Sequence, residues 1–307
     1  MVEKQWSGLR DLNPHGRPLD SKSSASANSA KPGFAFLYYP NYLENAIKSI
    51  IITCMLLTVD LGNTSTKLGI FDSGSQVSFA CFDGIDDNYR SLLLSFIFKA
   101  GLREDDITAA ILSCVVPSVY DAVFDAMASI VKEENIIDIN PNKDYGIELT
   151  MPNPNEVGDD LIVMCAYAYN LYHRELLLVS MGTCSVICHV SKEGKFKYCI
   201  IAPGFSKMAE TLWKNAAQLP EFQLTHKNTY LADNTIDAMN VGIYNGYVGM
   251  MSSLIRGIKT QLNEEPYVIG CGGLGKMAAP YIMELDEYDP DFVTKGLNFI
   301  YERYGNK

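Results

Sequence analysis

The chain holds 307 residues, 48% of them hydrophobic, at a net charge of −11; that is enough apolar side chain for a large core and suits two domains. The acidic balance argues against non-specific nucleic-acid binding, which depends on Lys and Arg neutralising phosphates. Eight cysteines without a Cys-x-x-Cys pair and four separated histidines give no zinc spacing, so the thiols read as reduced and buried in a cytoplasmic protein. No uninterrupted apolar run reaches about 18 residues, and no membrane span is expected.

Residues 1–54 do not match the rest. The segment 6–18 lacks periodicity, 21–30 is polar and of low complexity, and the later apolar run is broken by Pro40, Asn41, Glu44, Asn45 and Lys48. Neither a basic start nor a continuous apolar stretch reads as a signal peptide. This segment carries six Lys/Arg against four Asp/Glu, so the whole excess of negative charge lies in 55–307. Met55 stands directly before the first strong strand. We expect Met55 to be the true start and 1–54 to be a non-native or disordered leader, similar to a translated transfer-RNA gene; N-terminal analysis of protein from its native source tests this.

From Met55 the pattern is strand, tight turn, strand. Leu56, Leu57 and Val59 are apolar, Asp60-Leu-Gly-Asn-Thr-Ser is turn chemistry, and Leu68, Ile70 and Phe71 resume the apolar run. Gly62 and Asn63 tolerate positive φ and lack bulk, so this turn can press its amides on a phosphate, with Asp60 placed to hold Mg²⁺ through water. An ordinary hairpin would use the same residues. A strand at 77–82, a helix at 88–100, a strand at 107–116 stopped by Pro117, a helix at 120–132 and a short strand from Ile136 complete an α/β lobe with a mixed sheet.

Met151-Pro-Asn-Pro makes an irregular approach to an apolar helix that begins near Asp159. One Asp there is usually a helix cap. Two adjacent ones, Asp159 and Asp160, exceed that need, and a carboxylate facing a cleft can accept a proton from a substrate hydroxyl. The run 176–190 then repeats the first unit, with Val179-Ser180-Met181-Gly182 aligning on Val59-Asp60-Leu61-Gly62. A duplicated strand-turn-strand about 120 residues on implies two similar lobes facing a nucleotide, the layout of actin-like and sugar-kinase-like phosphotransferases. A strand closing on Pro203-Gly204, a helix at 206–217, a loop at 233–242 entering a long helix to about Leu262, a strand from Tyr267, a helix at 276–283 and a last helix at 294–304 follow. The glycines at 270–275 match G-x-G-x-x-G only formally, since no later strand is evident to complete a dinucleotide unit. No P-loop motif is present.

Taken in order over 55–305, the motifs resemble those of the type III pantothenate kinases. Asp60-Leu-Gly-Asn-Thr-Ser-Thr-Lys67 matches D-x-G-N-T, Ser113-Cys-Val-Val-Pro117 is similar to S-S-V-V-P, and Asn153 to Asp160 resembles N-P-x-x-V-G-x-D. Gly182-Thr183 stands for the D-F-G-T-A turn, and Pro203-Gly204, Leu219-Pro220, Asn234-Thr235, Gly272-Gly273 and Lys295 to Tyr301 fall where the family has counterparts. The resemblance implies two duplicated ribonuclease-H-like (actin-like ATPase) lobes, 55–173 and 174–307, with a nucleotide cleft between them. It also implies a homodimer and transfer of the ATP γ-phosphoryl group to the terminal hydroxyl of pantothenate, the first step of coenzyme A biosynthesis.

Carried over by position, Asp60, Leu61, Gly62, Asn63, Thr64, Ser65, Thr66, Lys67 and Thr183 would contact ATP. Gly158, Asp159, Asp160 and Thr235 would meet pantothenate, with Asp160 as the base. Ser180 falls at the family's monovalent-cation (K⁺ or NH₄⁺) position, where a neutral hydroxyl replaces a carboxylate and would hold that cation weakly. Leu161 stands for the family's Arg after the base, Met151 for a substrate-contacting Tyr, and Cys271 for a Thr. These changes leave two alternatives to the pantothenate kinase: a relative that binds nucleotide as a regulatory protein, and a kinase with a different hydroxyl acceptor.

Overall fold

The computed structural model describes residues 55–84 and 88–305; the expectation for the leader 1–54 lies outside the described residues. The first strands are β1 (Met55–Leu61), β2 (Ser65–Asp72) and β3 (Ser75–Asp83), followed by α1 (Tyr89–Lys99), β4 (Ile107–Cys114), α2 (Tyr120–Ala128) and β5 (Ile136–Asp138). Strands β1 to β3 form an antiparallel meander, and β4 and β5 add parallel to it, giving the order β3-β2-β1-β4-β5. Side chains alternate across the sheet. Leu57, Val59 and Leu61 of β1 therefore face the helices α1 and α2, while Leu56 faces the opposite side.

The chain continues through β6 (Glu148–Leu149) and α3 (Asp159–Tyr172) to β7 (Leu176–Met181), β8 (Cys184–Val190), β9 (Lys195–Pro203) and α4 (Phe205–Asn215). After these come α5 (Thr235–Leu262), β10 (Tyr267–Cys271), the one-turn α6 (Gly275–Ala278), β11 (Glu287–Asp289) and α7 (Phe292–Tyr304). The second sheet has the order β11-β10-β7-β8-β9-β6, again a meander (β7-β8-β9) extended by parallel strands. Strands β7 to β11 thus repeat β1 to β5, with β6 added at an edge.

The cores explain the layering. Leu57, Leu68, Ile70, Ala110 and Leu112 pack under Leu93, Phe96, Val123 and Met127 of α1 and α2. Leu177, Val179, Ile187 and Val268 pack under Phe205 of α4 and Ile243, Tyr247 and Met251 of α5. Between the sheets lies a third cluster, in which α3 gives Ile162 to Ala168 and α7 gives Phe292, Leu297 and Ile300. These two helices touch closely: a Cβ at Gly296 would stand 2.8 Å from Val163 Cγ1. The connection between sheets is mutual, because β6 lies early in the chain yet pairs with β9, while α7 closes the chain yet packs on β1, β2 and β4.

Several sequence expectations change in detail. Helix α2 stops at Ala128, where Ser129 turns its hydroxyl back to Ala126 O, rather than reaching 132. Residues 235–242, expected as loop, are the first turns of α5, with Asn234 capping Asp237 N at 3.0 Å. The helix expected at 276–283 is one turn ending before Pro280. A strand does follow the 270–275 glycines, because β11 pairs parallel with β10. The thiols are not all buried: Cys165, Cys188 and Cys271 are, but Cys81 and Cys184 are exposed, and all seven among the described residues are free.

Candidate active site at the ends of the repeated strands

Asp60 sits near the end of β1 and is only 2% exposed. A buried carboxylate requires partners, and both oxygens have one: Ser113 Oγ on β4 donates to Oδ1 at 3.2 Å, and Lys67 Nζ on β2 donates to Oδ2 at 2.8 Å. The register makes this set, since Asp60 lies directly opposite Lys67 on one side and Ser113 on the other. Burial works against the Lys67 charge, but the Asp60 carboxylate outweighs it and holds the ammonium well above the usual lysine range. The hairpin beyond Asp60 closes with Gly62 N donating to Ser65 O at 2.9 Å.

Helix α3 delivers the two adjacent carboxylates. Its N-cap is Gly158, which offers no side chain, and Asp159 and Asp160 occupy the first turn, where the helix dipole favours negative charge. Asp160 Oδ1 accepts from Leu161 N at 2.9 Å. Burial, then the negative charge of Asp60, push its carboxyl up to about 6, with Lys67 opposing. Asp60, Lys67 and Asp160 are thus one electrostatic group. Asp159 turns the other way: its Oδ2 accepts from Cys114 N at 3.2 Å. Burial first, then the negative charges of Asp138, Asp160 and Asp60, push it also to about 6, against that hydrogen bond.

The second lobe repeats the geometry with different chemistry. Ser180 lies opposite Cys271 as Asp60 lies opposite Ser113. The Cys271 thiol donates to Met164 Sδ at 3.3 Å, and burial pushes it up to about 12. The second turn closes with Gly182 N donating to Cys184 O at 3.1 Å. Behind it, a Cβ at Gly204 would overlap the carbonyls of Gly182 and Thr183, so only glycine fits where α4 meets this turn. The two turn tips meet: Thr64 and Thr183 hydroxyls are 2.5 Å apart.

Of the expected nucleotide residues, Asp60, Thr64, Lys67 and Thr183 therefore converge. Leu61 and Thr66 point to the α1–α2 side and are buried, so only their backbones can face a ligand. Thr235 is exposed at the start of α5, outside the hydrogen-bond network just described. Ser113 and Cys114, within the Ser113–Pro117 motif, also join the site; their signal in the sequence is a small polar pair at the end of a buried strand. Among the described residues no group of three or more His, Cys, Asp or Glu side chains is arranged to hold a metal. No helix among them is long and apolar enough to cross a membrane.

The chain aligns over 81% of its length, at 32% identity, with 96% of the type III pantothenate kinase of Bacillus cytotoxicus. A Campylobacter jejuni structure described as a Baf family transcriptional activator superposes with TM-score 0.53 and 15% identity, over 82% of this chain and all of that one. MreB 5 of Spiroplasma citri, bound to AMPPNP, superposes with TM-score 0.50 and 9% identity, over 83% of this chain and 98% of that one. These structural likenesses carry the fold alone, the two-lobed actin-like architecture. The sequence profile of the type III pantothenate kinases matches residues 56–257, and with the Bacillus relative it places the chain as a divergent member of the type III pantothenate kinase family.

Proposed function

We propose that the protein transfers the γ-phosphoryl group of ATP to the terminal hydroxyl of pantothenate, giving 4′-phosphopantothenate, the first step of coenzyme A biosynthesis. The observation that carries this reading is the Asp60–Lys67–Asp160 group, set where the two repeated turns converge. Asp160 takes the hydroxyl proton, since burial and Asp60 keep it basic enough near neutrality. Lys67 and the amides of Asn63 and Thr64 in the turn neutralise phosphate charge, and Thr183 adds a hydroxyl from the facing lobe. Phosphoryl transfer asks the protein for positioning and charge neutralisation more than covalent chemistry.

Asp60 suits Mg²⁺ held largely through water and phosphate oxygens, because one or two carboxylates suffice for that ion. The ion would supply charge neutralisation on the phosphates. A homodimer accords with the family, and the exposed Tyr198, Ile201, Tyr230 and Leu231 supply apolar surface for it; light scattering on the purified chain tests that.

The deciding experiment is ADP release by the full chain with Mg·ATP, with and without pantothenate. Pantothenate-dependent release supports the proposal. Nucleotide binding without turnover would favour a regulatory protein instead, and turnover only with another hydroxyl compound would favour a changed acceptor.

A further inference from the structure

Two neighbouring residues at the end of β4 reach the two carboxylates of the site by different routes. Ser113 Oγ donates to Asp60 Oδ1 at 3.2 Å, and Cys114 N donates to Asp159 Oδ2 at 3.2 Å. Asp159 is the first residue of α3 and Asp160 the second. The strand therefore grips the phosphate turn with one residue and the helix start with the next. We propose that Asp159 is a positioning residue, which through the Cys114 amide fixes the start of α3, and so Asp160, at a set distance from Asp60.

Three observations support this. Cys114 is the last residue of β4, so its amide is given to the helix while the next amide, Val115 N, still bonds Leu61 O at 3.1 Å. Gly158 brings the helix start hard against the strand end: a Cβ there would stand 2.7 Å from Asp160 Oδ1 and 3.3 Å from Val115 Cγ1. The helix also lacks an ordinary side-chain cap, and the Asp159–Cys114 bond ties that end to the first sheet. An Asp that served only the helix dipole would have no reason to reach across to a strand.

This rests on the reading of Asp160 as the base, and it separates geometry from charge. Asp159→Asn keeps an acceptor oxygen in place and removes the charge. Asp159→Glu keeps the charge and an acidic residue suited to the first helical turn, but displaces the carboxylate by one methylene. Positioning predicts that the Glu variant loses about 10- to 100-fold in kcat, as small misplacements of reacting groups do. Its KM for ATP should change less than about twofold, because Asp60, Ser113 and Lys67 are untouched. The Asn variant should recover at least about tenfold of that loss. Amide exchange at Cys114 should remain slow in Asp159→Asn and quicken in Asp159→Glu. A merely structural role would shift melting temperature in both without this split. An active wild type in which Glu equals or exceeds Asn in kcat would overturn the proposal while leaving the kinase reading intact. A wild type without pantothenate-dependent turnover would overturn the kinase reading and this role together.

Discussion

A carboxylate that takes a proton near neutral pH must be ionised and still basic, and the surroundings of Asp160 meet both conditions. Burial and the Asp60 charge raise its carboxyl to about 6, while Lys67 keeps the rise from going further. Asp160→Asn retains the shape and the oxygen that caps Leu161 N, but not the proton acceptor. Turnover should fall by roughly 10²–10⁴-fold, with Mg·ATP affinity measured calorimetrically changing little; a loss under about threefold would remove Asp160 from the role. In the wild type, the acid limb of kcat/KM, which reports the free protein, should lie near pH 6. Gly158 gives a second test at the same scale. Its φ is −61°, ordinary for any residue, so Gly158→Ala introduces no backbone strain. The new methyl must instead push the Asp160 oxygen 2.7 Å away from where a Cβ would sit. We expect about a tenfold loss of kcat with a stability change under about 1 kcal/mol, read by activity and thermal melting together.

Strand ends, not whole strands, decide the chemistry here. The β1–β4 end pairs Asp60 with Ser113; the equivalent β7–β10 end pairs Ser180 with Cys271. Ser180 is neutral and lies beside Cys271, so the second turn lacks the negative charge that would favour a monovalent cation, since affinity for a hard cation rises with ligand charge. Activity should therefore vary less than about twofold between potassium and a large organic cation at equal ionic strength, and Ser180→Asp should introduce potassium dependence. Strong activation of the unmodified protein by potassium would refute this. The duplication itself was legible from alternating apolar residues around two Gly-containing turns, because both hairpins are local. Strands β6 and β11 were not, since two or three residues such as Glu287-Tyr-Asp289 become strand only by lying beside an existing edge. Helix ends at Ala128 and before Pro280 depended on one turn's worth of local hydrogen bonding. Asp60, Lys67 and Asp160 could be named from the sequence. The Asp60–Lys67 ion pair could not, because it depends on the exact register of the hairpin, nor could the turning of Asp159 toward Cys114, which joins segments 45 residues apart in the chain.

The whole molecule bears a stability cost for this site, and the cost has a defined pH window. In the unfolded chain Asp159 and Asp160 would titrate near about 3.9; in the fold both sit at about 6. Between about pH 4 and pH 6 the native state consequently binds more protons than the unfolded one. Stability from these two groups is then greatest below about pH 4, falls as pH rises through the window, and is fully lost above about pH 6. Replacing Asp160 by Asn removes one such group while keeping its acceptor oxygen. At pH 7.5 the variant should be more stable than wild type by about 2–3 kcal/mol, a rise of roughly 4–12 °C in melting temperature for a chain of this size. At pH 4 the two proteins should melt within about 1 °C of each other, since wild-type Asp160 is then protonated and nearly as neutral as the amide. Taking the difference between variant and wild type cancels other carboxylates, such as Asp106 and Glu210, whose lowered values give the opposite dependence. A variant that melts below wild type at pH 7.5, or a difference independent of pH, would mean that the Asp160 carboxylate is well compensated in the fold. It would then titrate in the ordinary carboxylate range, and the acid limb of activity near pH 6 would need another residue.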